Sequence, residues 1–303
     1  MIRQLQIENF RCLRAVTLNL EPLTVFVGAN SSGKSSVFSA LHVQGSHDDR
    51  WMRKAKAGVS VTATMEDNST ESRVLSPFGV FERSPKFPAC QVLQLDLKAV
   101  RESNQVNEMR VLSPSGSGLA NVFATLTRGE QGQVAQQFCD LVPMFADVHV
   151  RPQSSGNHWI LFQDRWNSKL WYQPQQVSDG SILLLAFLLL PYQAPHDVVA
   201  IEEPERGLHP YLMGELVGVL RKLSKGEIGP RAIQILLATH SAGLLEFIEP
   251  AEVRFFSRSK ETGETRVEEP PVGDPNWLKT LKEYDNSMGD LWLSGGLGGV
   301  PGR

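Results

Sequence analysis

Apolar and polar residues alternate through two stretches at the start of the chain. Leu5 and Ile7 stand among Gln4, Gln6 and Glu8, and Val16, Leu18 and Leu20 stand among Thr17 and Asn19. A period of two predicts two half-buried antiparallel strands. The next run, Leu23 to Val27, is apolar throughout and leads straight into "GANSSGKSS", after which Val37, Phe38 and Leu41 recur at helical spacing. That order predicts strand, glycine loop, helix. Further on, Val59, Val61, Ala63 and Met65 alternate with polar residues, as do Leu93, Leu95 and Leu97, predicting strands joined by Ser/Pro-rich connections. Two helical faces follow, one from Leu119, Val122, Phe123 and Leu126 and one from Val134, Phe138 and Leu141, and then a hairpin turning near Asn167 and Ser168.

The stretch "VSDGSILLLAFLLL" sets four small polar residues, Ser178 to Ser181, ahead of an unbroken apolar run from Ile182 to Leu190. The run is far shorter than the ~20 residues of a membrane span, so it predicts a helix buried on all sides with its N-terminus exposed. Backbone N–H groups there lack intrahelical partners and carry the positive end of the helix dipole, which suits a phosphate or a capped turn. A buried strand "VVAI", a helix carrying Met213, Leu216, Val217, Leu220 and Leu223, and a second buried strand "IQILLA" come next. This is the order of a parallel α/β unit. A hairpin, "EVRFFSRSKETGETRVEE", and a glycine-rich tail close the chain, with no internal repeat and no heptad run.

The chain has 303 residues, 41% hydrophobic and 21% charged, with a net charge of −3. This is ordinary globular composition, and it excludes a protein that coats nucleic acid or acidic membranes by bulk charge. Three scattered cysteines fit a reducing compartment, and neither they nor the seven histidines have the spacing of a metal site. The first ten residues lack the basic flank and apolar core of a signal peptide, so a cytoplasmic location is expected, with no membrane partner.

The chemistry-bearing residues fall at the ends of the buried strands. Gly28 to Ser35 matches GxxxxGK[ST] between a strand and a helix, and a chance match in a chain of this length is on the order of 1%. In such a loop the glycines let the backbone N–H groups face the β-phosphate, Lys34 reaches the β/γ-phosphates, and the Ser35 hydroxyl binds Mg²⁺. Val198 to Ile201 ends in Glu202 and Glu203. Paired carboxylates serve Mg-nucleotide hydrolysis, Glu202 on the metal and Glu203 on the attacking water, although two acids before Pro204 would also suit a helix start. His240, between Thr239 and Ser241 just past a buried strand, is placed to hydrogen-bond a γ-phosphate. "RWMRKAK" gathers Arg50, Arg53, Lys54 and Lys56 around Trp51 and Met52, a candidate nucleic-acid contact set against a solvated surface.

As a set, "ENFRCLRAVTL", "GANSSGKSS", "SDGS", "IEEPERGLHP" and "ATHS" resemble the ABC-type ATPases of the RecF, SMC and OLD group, especially its compact, arm-less bacterial members. The resemblance covers about the first 45 residues and Gln173 to about Arg258. It implies a P-loop NTPase of α/β class, an ABC-type ATPase head with a mixed sheet. A nucleotide core of 1–43 and 174–258 would be interrupted by an α/β lobe, 44–173, and followed by a C-terminal hairpin and tail, 259–303. It implies ATP and Mg²⁺ as ligands. Asn30, Ser31, Ser32, Gly33, Lys34, Ser35 and Ser36 would form the Walker A loop, Glu202 and Glu203 the Walker B pair, and His240 the switch histidine, with Arg11 near the nucleotide. Ser178, Asp179 and Gly180 would be the signature turn that grips ATP held by a second subunit, so that a homodimer closes head to tail on two ATPs.

The first Walker B acid is glutamate where many relatives have aspartate, and no position stands out as the Q-loop glutamine, Gln44 and Gln94 being the candidates. "LWLSGGLGG" is closer in letters to the common ABC signature, but it follows His240 and precedes glycines and a proline that oppose a helix, so it is read as a tail or docking segment. The branch suggests DNA repair or phage defence with a separate effector subunit, DNA being a possible partner. OLD-type relatives add a Toprim nuclease domain for which the residues after His240 are too few, and transport shares the same ATPase chemistry. The alternative function is an ATP-bound scaffold or sensor with negligible turnover.

Overall fold

The computed structural model describes residues 1–42, 58–76, 81–153, 155–193 and 196–295. The basic cluster around Trp51, Gln44 and the last glycines of the tail lie outside them. The chain divides into two compact units, one of residues 1–92, 197–205 and 234–303 and one of residues 93–196 and 206–233.

In chain order the first unit opens with β1 (Ile2–Phe10), β2 (Leu13–Asn19), β3 (Leu23–Gly28), α1 (Lys34–His42), β4 (Val59–Met65), β5 (Thr70–Leu75), β6 (Phe81–Arg83) and β7 (Cys90–Leu93). The second unit supplies α2 (Leu97–Arg101), β8 (Asn104–Gln105), α3 (Leu119–Thr125), α4 (Arg128–Leu141), β9 (Phe145–Pro152), β10 (Asn157–Asp164), β11 (Trp171–Tyr172) and α5 (Asp179–Leu188). The chain then adds β12 (Val198–Glu202) to the first unit and α6 (Met213–Lys225) to the second. It ends in the first with β13 (Gln234–Thr239), α7 (Ala242–Leu245), β14 (Val253–Arg258), β15 (Thr265–Glu268), α8 (Pro275–Glu283) and α9 (Met288–Leu293).

Two sheets make the first unit. One is antiparallel, in the order β2-β1-β4-β5-β6; the other is mixed, in the order β15-β14-β3-β13-β12-β7. Within the mixed sheet, β14, β3, β13 and β12 run parallel and β15 returns antiparallel at one edge. The alternating residues of β1, β2 and β4 put Leu5, Ile7, Val16, Leu18, Val61 and Ala63 into one apolar core with Phe26, Phe38, Leu236 and Phe256. β3 has every residue buried, as an unbroken apolar run in an interior parallel strand should.

The second unit pairs β9 with β10 in a long antiparallel register and packs Phe138, Phe145 and Phe162 against one another. α5 is buried along its whole length after Asp179. Arg231 holds the segment before β12 by donating to the carbonyls of Pro191, His196 and Gln193.

The structure departs from the expectations at three places. Residues 59–92 of the expected lobe are compact with the strands of the phosphate loop, and 174–196 and 206–233 of the expected core are compact with the lobe. β4 explains the first point, because it pairs with β1 along nearly its full length. Leu95 and Leu97 do not continue a strand: β7 stops at Leu93, and Asp96 caps α2 by accepting from the Ala99 N–H at 2.8 Å. A side-chain cap three residues after the strand outweighs the leucine alternation. The described part of the tail also contains two helices, α8 and α9. Asp274 caps α8, which has proline in its first turn, Ser287 caps α9, and Trp277, Leu291 and Trp292 are buried. The letters Leu293-Ser294-Gly295 stand at the end of α9 rather than opening a helix.

Candidate nucleotide site

The carboxyl ends of three parallel strands bring the site together. β3 ends at Gly28, β13 at Thr239 and β12 at Glu202, and their registers align Val27 with Thr239 and Ala238 with Glu202. Ligands of open α/β sheets bind at this edge. A cavity of about 610 Å³ opens there, lined by Arg11, by the loop from Asn30 to Ser36, and by Glu202, Glu203, Thr239, His240 and Arg258. Every expected site residue of the first unit therefore faces one cavity.

The loop turns through Ser31 at φ 65° and Gly33 at φ 115°, then enters α1 with the Ser36 and Val37 N–H groups on the Gly33 carbonyl. The N–H groups of Lys34 and Ser35 have no acceptor within the helix. Lys34 is nearly buried, and its ammonium donates to the carbonyls of Gly28 at 2.7 Å and Ala29 at 2.9 Å and to Ser32 Oγ at 3.5 Å. Burial pushes its pKa down, against the charges of Glu203, Glu202 and Glu205, which raise it.

Glu203 stands at φ 46°, a left-handed backbone uncommon for a residue with a side chain, with its N–H on the Ala238 carbonyl at 2.8 Å. Such a conformation costs about 1–3 kcal/mol and clusters at functional sites. Its Oε1 lies 3.2 Å from His240 Nδ1. Arg11 is likewise left-handed, at φ 49°, and donates to Ser39 Oγ at 3.0 Å.

Three contributors were not legible as site residues. Arg258, from β14, lines the cavity and donates to the Ser31 carbonyl at 3.4 Å. Thr265, from β15, donates from Oγ1 to the Ser32 carbonyl at 2.8 Å and from its N–H to the Cys12 carbonyl at 2.9 Å. Glu205 accepts from Thr239 Oγ1 at 2.5 Å, and that hydroxyl also accepts from the Ser241 N–H at 2.9 Å. Burial pushes the Glu205 carboxyl up, against the Thr239 bond that lowers it. A third acid inside "EEPE" was the available signal for Glu205; nothing local in the sequence marks the other two.

The donor set fits a magnesium-bound polyphosphate. It offers loop N–H groups, an ammonium, a serine hydroxyl and two carboxylates, and among the described residues no group of three or more His, Cys, Asp or Glu could hold a metal alone. That suits Mg²⁺, which binds through one or two protein ligands together with phosphate oxygens and water.

In the second unit Ser178 caps α5, its Oγ accepting from the Ser181 N–H at 3.2 Å. Asp179 opens the helix, and Gly180 packs where an added Cβ would meet Leu212 Cδ1 at 2.3 Å. Of the two Q-loop candidates, Gln94 directly follows β7, its N–H on the Pro114 carbonyl. No helix of the described residues is long and apolar enough to cross a membrane.

Comparison with known proteins bears on the fold. Residues 116–246 match a family model described as "AAA domain, putative AbiEii toxin, Type IV TA system", and residues 1–74 match an AAA ATPase domain model. Over 41 residues the chain is 46% identical to an OLD nuclease of Thermus scotoductus; the match covers 14% of this chain and 8% of that protein. Among solved structures, an SMC head domain from Thermotoga maritima covers 89% of this chain and 99% of its own, at a TM-score of 0.56 and 15% identity. An SMC head bound to the C-terminal winged-helix domain of ScpA covers 88% and 98%, at 0.63 and 15%. These likenesses give the fold as that of an ABC-type P-loop ATPase head. Motifs, the two partial AAA family-model matches and the fold alike support an ABC/SMC-like AAA ATPase of the RecF, SMC and OLD group.

Proposed function

We propose that the protein binds Mg-ATP and hydrolyses it, closing a head-to-tail homodimer around two nucleotides. The reading is carried by one observation, the convergence of Lys34, Ser35, Glu202, Glu203 and His240 on a single cavity at the strand ends. Lys34 and the loop N–H groups hold the β- and γ-phosphates, with Arg11 beside them. Ser35 and Glu202 hold the metal, whose charge offsets that of the phosphate oxygens. Glu203 orients the attacking water and takes its proton. His240, 3.2 Å away, steadies that carboxylate and reports on the γ-phosphate. Ser178 and Gly180 grip the partner's γ-phosphate from the N-terminus of α5. The motion of closing and reopening is then read by a separate effector or by DNA, in DNA repair or phage defence.

The test is the solution mass of the wild type, Glu203→Gln and Ser178→Arg with Mg-ATP, together with phosphate release. Glu203→Gln is expected to accumulate ATP-bound dimers and release almost no phosphate. Ser178→Arg is expected to do neither. A wild type that binds ATP without measurable turnover would favour the scaffold reading, and ATP-independent monomers throughout would end the dimer model.

A further inference from the structure

The signature turn contains an apparent contradiction. Asp179 places a carboxylate on the first turn of α5. An acid there suits the helix dipole, yet it occupies the ground on which a partner's γ-phosphate would be gripped, and two anions repel at such a site. Arg101 resolves it. Its guanidinium donates to Asp179 Oδ1 at 2.5 Å, to the Val177 carbonyl at 2.9 Å and to the Pro174 carbonyl. The Arg101 side chain is 15% exposed, against 49% for Asp179. The clasp runs both ways, since Gln175 Nε2 donates to the Arg101 carbonyl at 3.2 Å. Arg101 ends α2, the short helix fixed at its other end by the Asp96 cap.

We propose that Arg101 is a positioning residue of the phosphate clamp: it neutralises Asp179 and pins the turn from Pro174 to Asp179, so that the N-terminus of α5 presents donors rather than a net negative charge. The proposal rests on the dimer reading above. It separates two effects of the same side chain, charge and tethering, and the charge effect makes an unusual prediction. Removing Arg101 leaves a free carboxylate in the clamp, and removing that carboxylate as well restores binding.

The experiment uses the full chain in a Glu203→Gln background with Mg-ATP, following the dimer Kd by sedimentation velocity. Arg101→Ala should weaken the dimer about tenfold per clamp and about a hundredfold for the two clamps of a dimer. Asp179→Asn alone should dimerise at least as tightly as the parent, and Arg101→Ala with Asp179→Asn should recover most of the loss. ATP affinity of the monomer, measured with a fluorescent analogue, should be unaltered in all three. A double variant no better than Arg101→Ala overturns the charge role, as does an Arg101→Ala protein that dimerises normally. A parent that fails to dimerise on ATP overturns the underlying dimer reading instead, so the two failures are distinguishable. Melting curves for each variant expose any that fail through unfolding, and recovery in the double variant cannot arise from a misfolded turn.

Discussion

Gly28→Ala tests why the phosphate loop begins with glycine. The residue is the last of β3 and is aligned with Phe256 of β14. A Cβ built on it would sit 2.2 Å from the Phe256 carbonyl oxygen, where an ordinary C···O separation is roughly 3.3 Å. The two strands must therefore part by about 1 Å at the sheet's centre. Overpacking of this kind costs about 1–3 kcal/mol. Phe256 also packs on Phe26 at a ring separation of 5.0 Å, a contact worth about 0.5–1.5 kcal/mol that the shift would loosen. The sum is about 1.5–4.5 kcal/mol, or a fall in Tm of roughly 2–7 °C for a chain of 303 residues. Differential scanning calorimetry without nucleotide measures it. The glycine is thus required by strand packing before any phosphate arrives. A Gly28→Ala protein that melts with the wild type but fails to bind ATP would refute that reasoning and assign the glycine to ligand contact.

Further expectations follow from the same region. Thr239→Val keeps the shape but removes the hydroxyl shared by Glu205 and Ser241; it should cost about 1–3 kcal/mol in urea unfolding and lower turnover more than ATP affinity, and an unchanged midpoint would count against the network. Because burial raises the Glu205 carboxyl above its unfolded value, the folded chain retains a proton that the unfolded chain loses first, so stability falls as pH climbs through that interval and is flat beyond it. Glu205→Gln should abolish this slope, gaining on the wild type as pH rises above the ordinary carboxylate range; parallel curves would contradict the assignment. The Cys90 thiol is pushed up to about 12 by burial and Cys139 to about 11, so at about pH 8 only about one Cys90 in ten thousand is thiolate. Rapid labelling of native Cys90 by a maleimide would show its burial to be wrong.

What the sequence disclosed was whatever depends on local order. The strand, loop and helix around Lys34 were legible because an apolar run, two glycines and a helical period lie end to end within twenty residues. α5 was legible because nine consecutive apolar residues admit few alternatives. Pairings between distant strands were not. Nothing near Val59 announces that β4 lies beside β1, and the hydroxyl of Thr265 gives no local hint that it holds Ser32. The leucines at 93, 95 and 97 misled for a related reason, since alternation is a weak signal over five residues and the capping aspartate between them was the stronger one. The helices of the tail were overlooked because glycine-rich composition was extended backwards across residues whose caps and buried tryptophans say otherwise.

The hold of β14 and β15 on the phosphate loop has a consequence for synthesis. Ser31 and Ser32 receive hydrogen bonds from Arg258 and Thr265, residues more than two hundred positions later in the chain. A ribosome has therefore added more than two hundred residues beyond the loop before the loop acquires its supports. Nascent or prematurely ended chains carry the phosphate-binding letters without the phosphate-binding shape, which delays capture of nucleotide until the parts that would use it are already present.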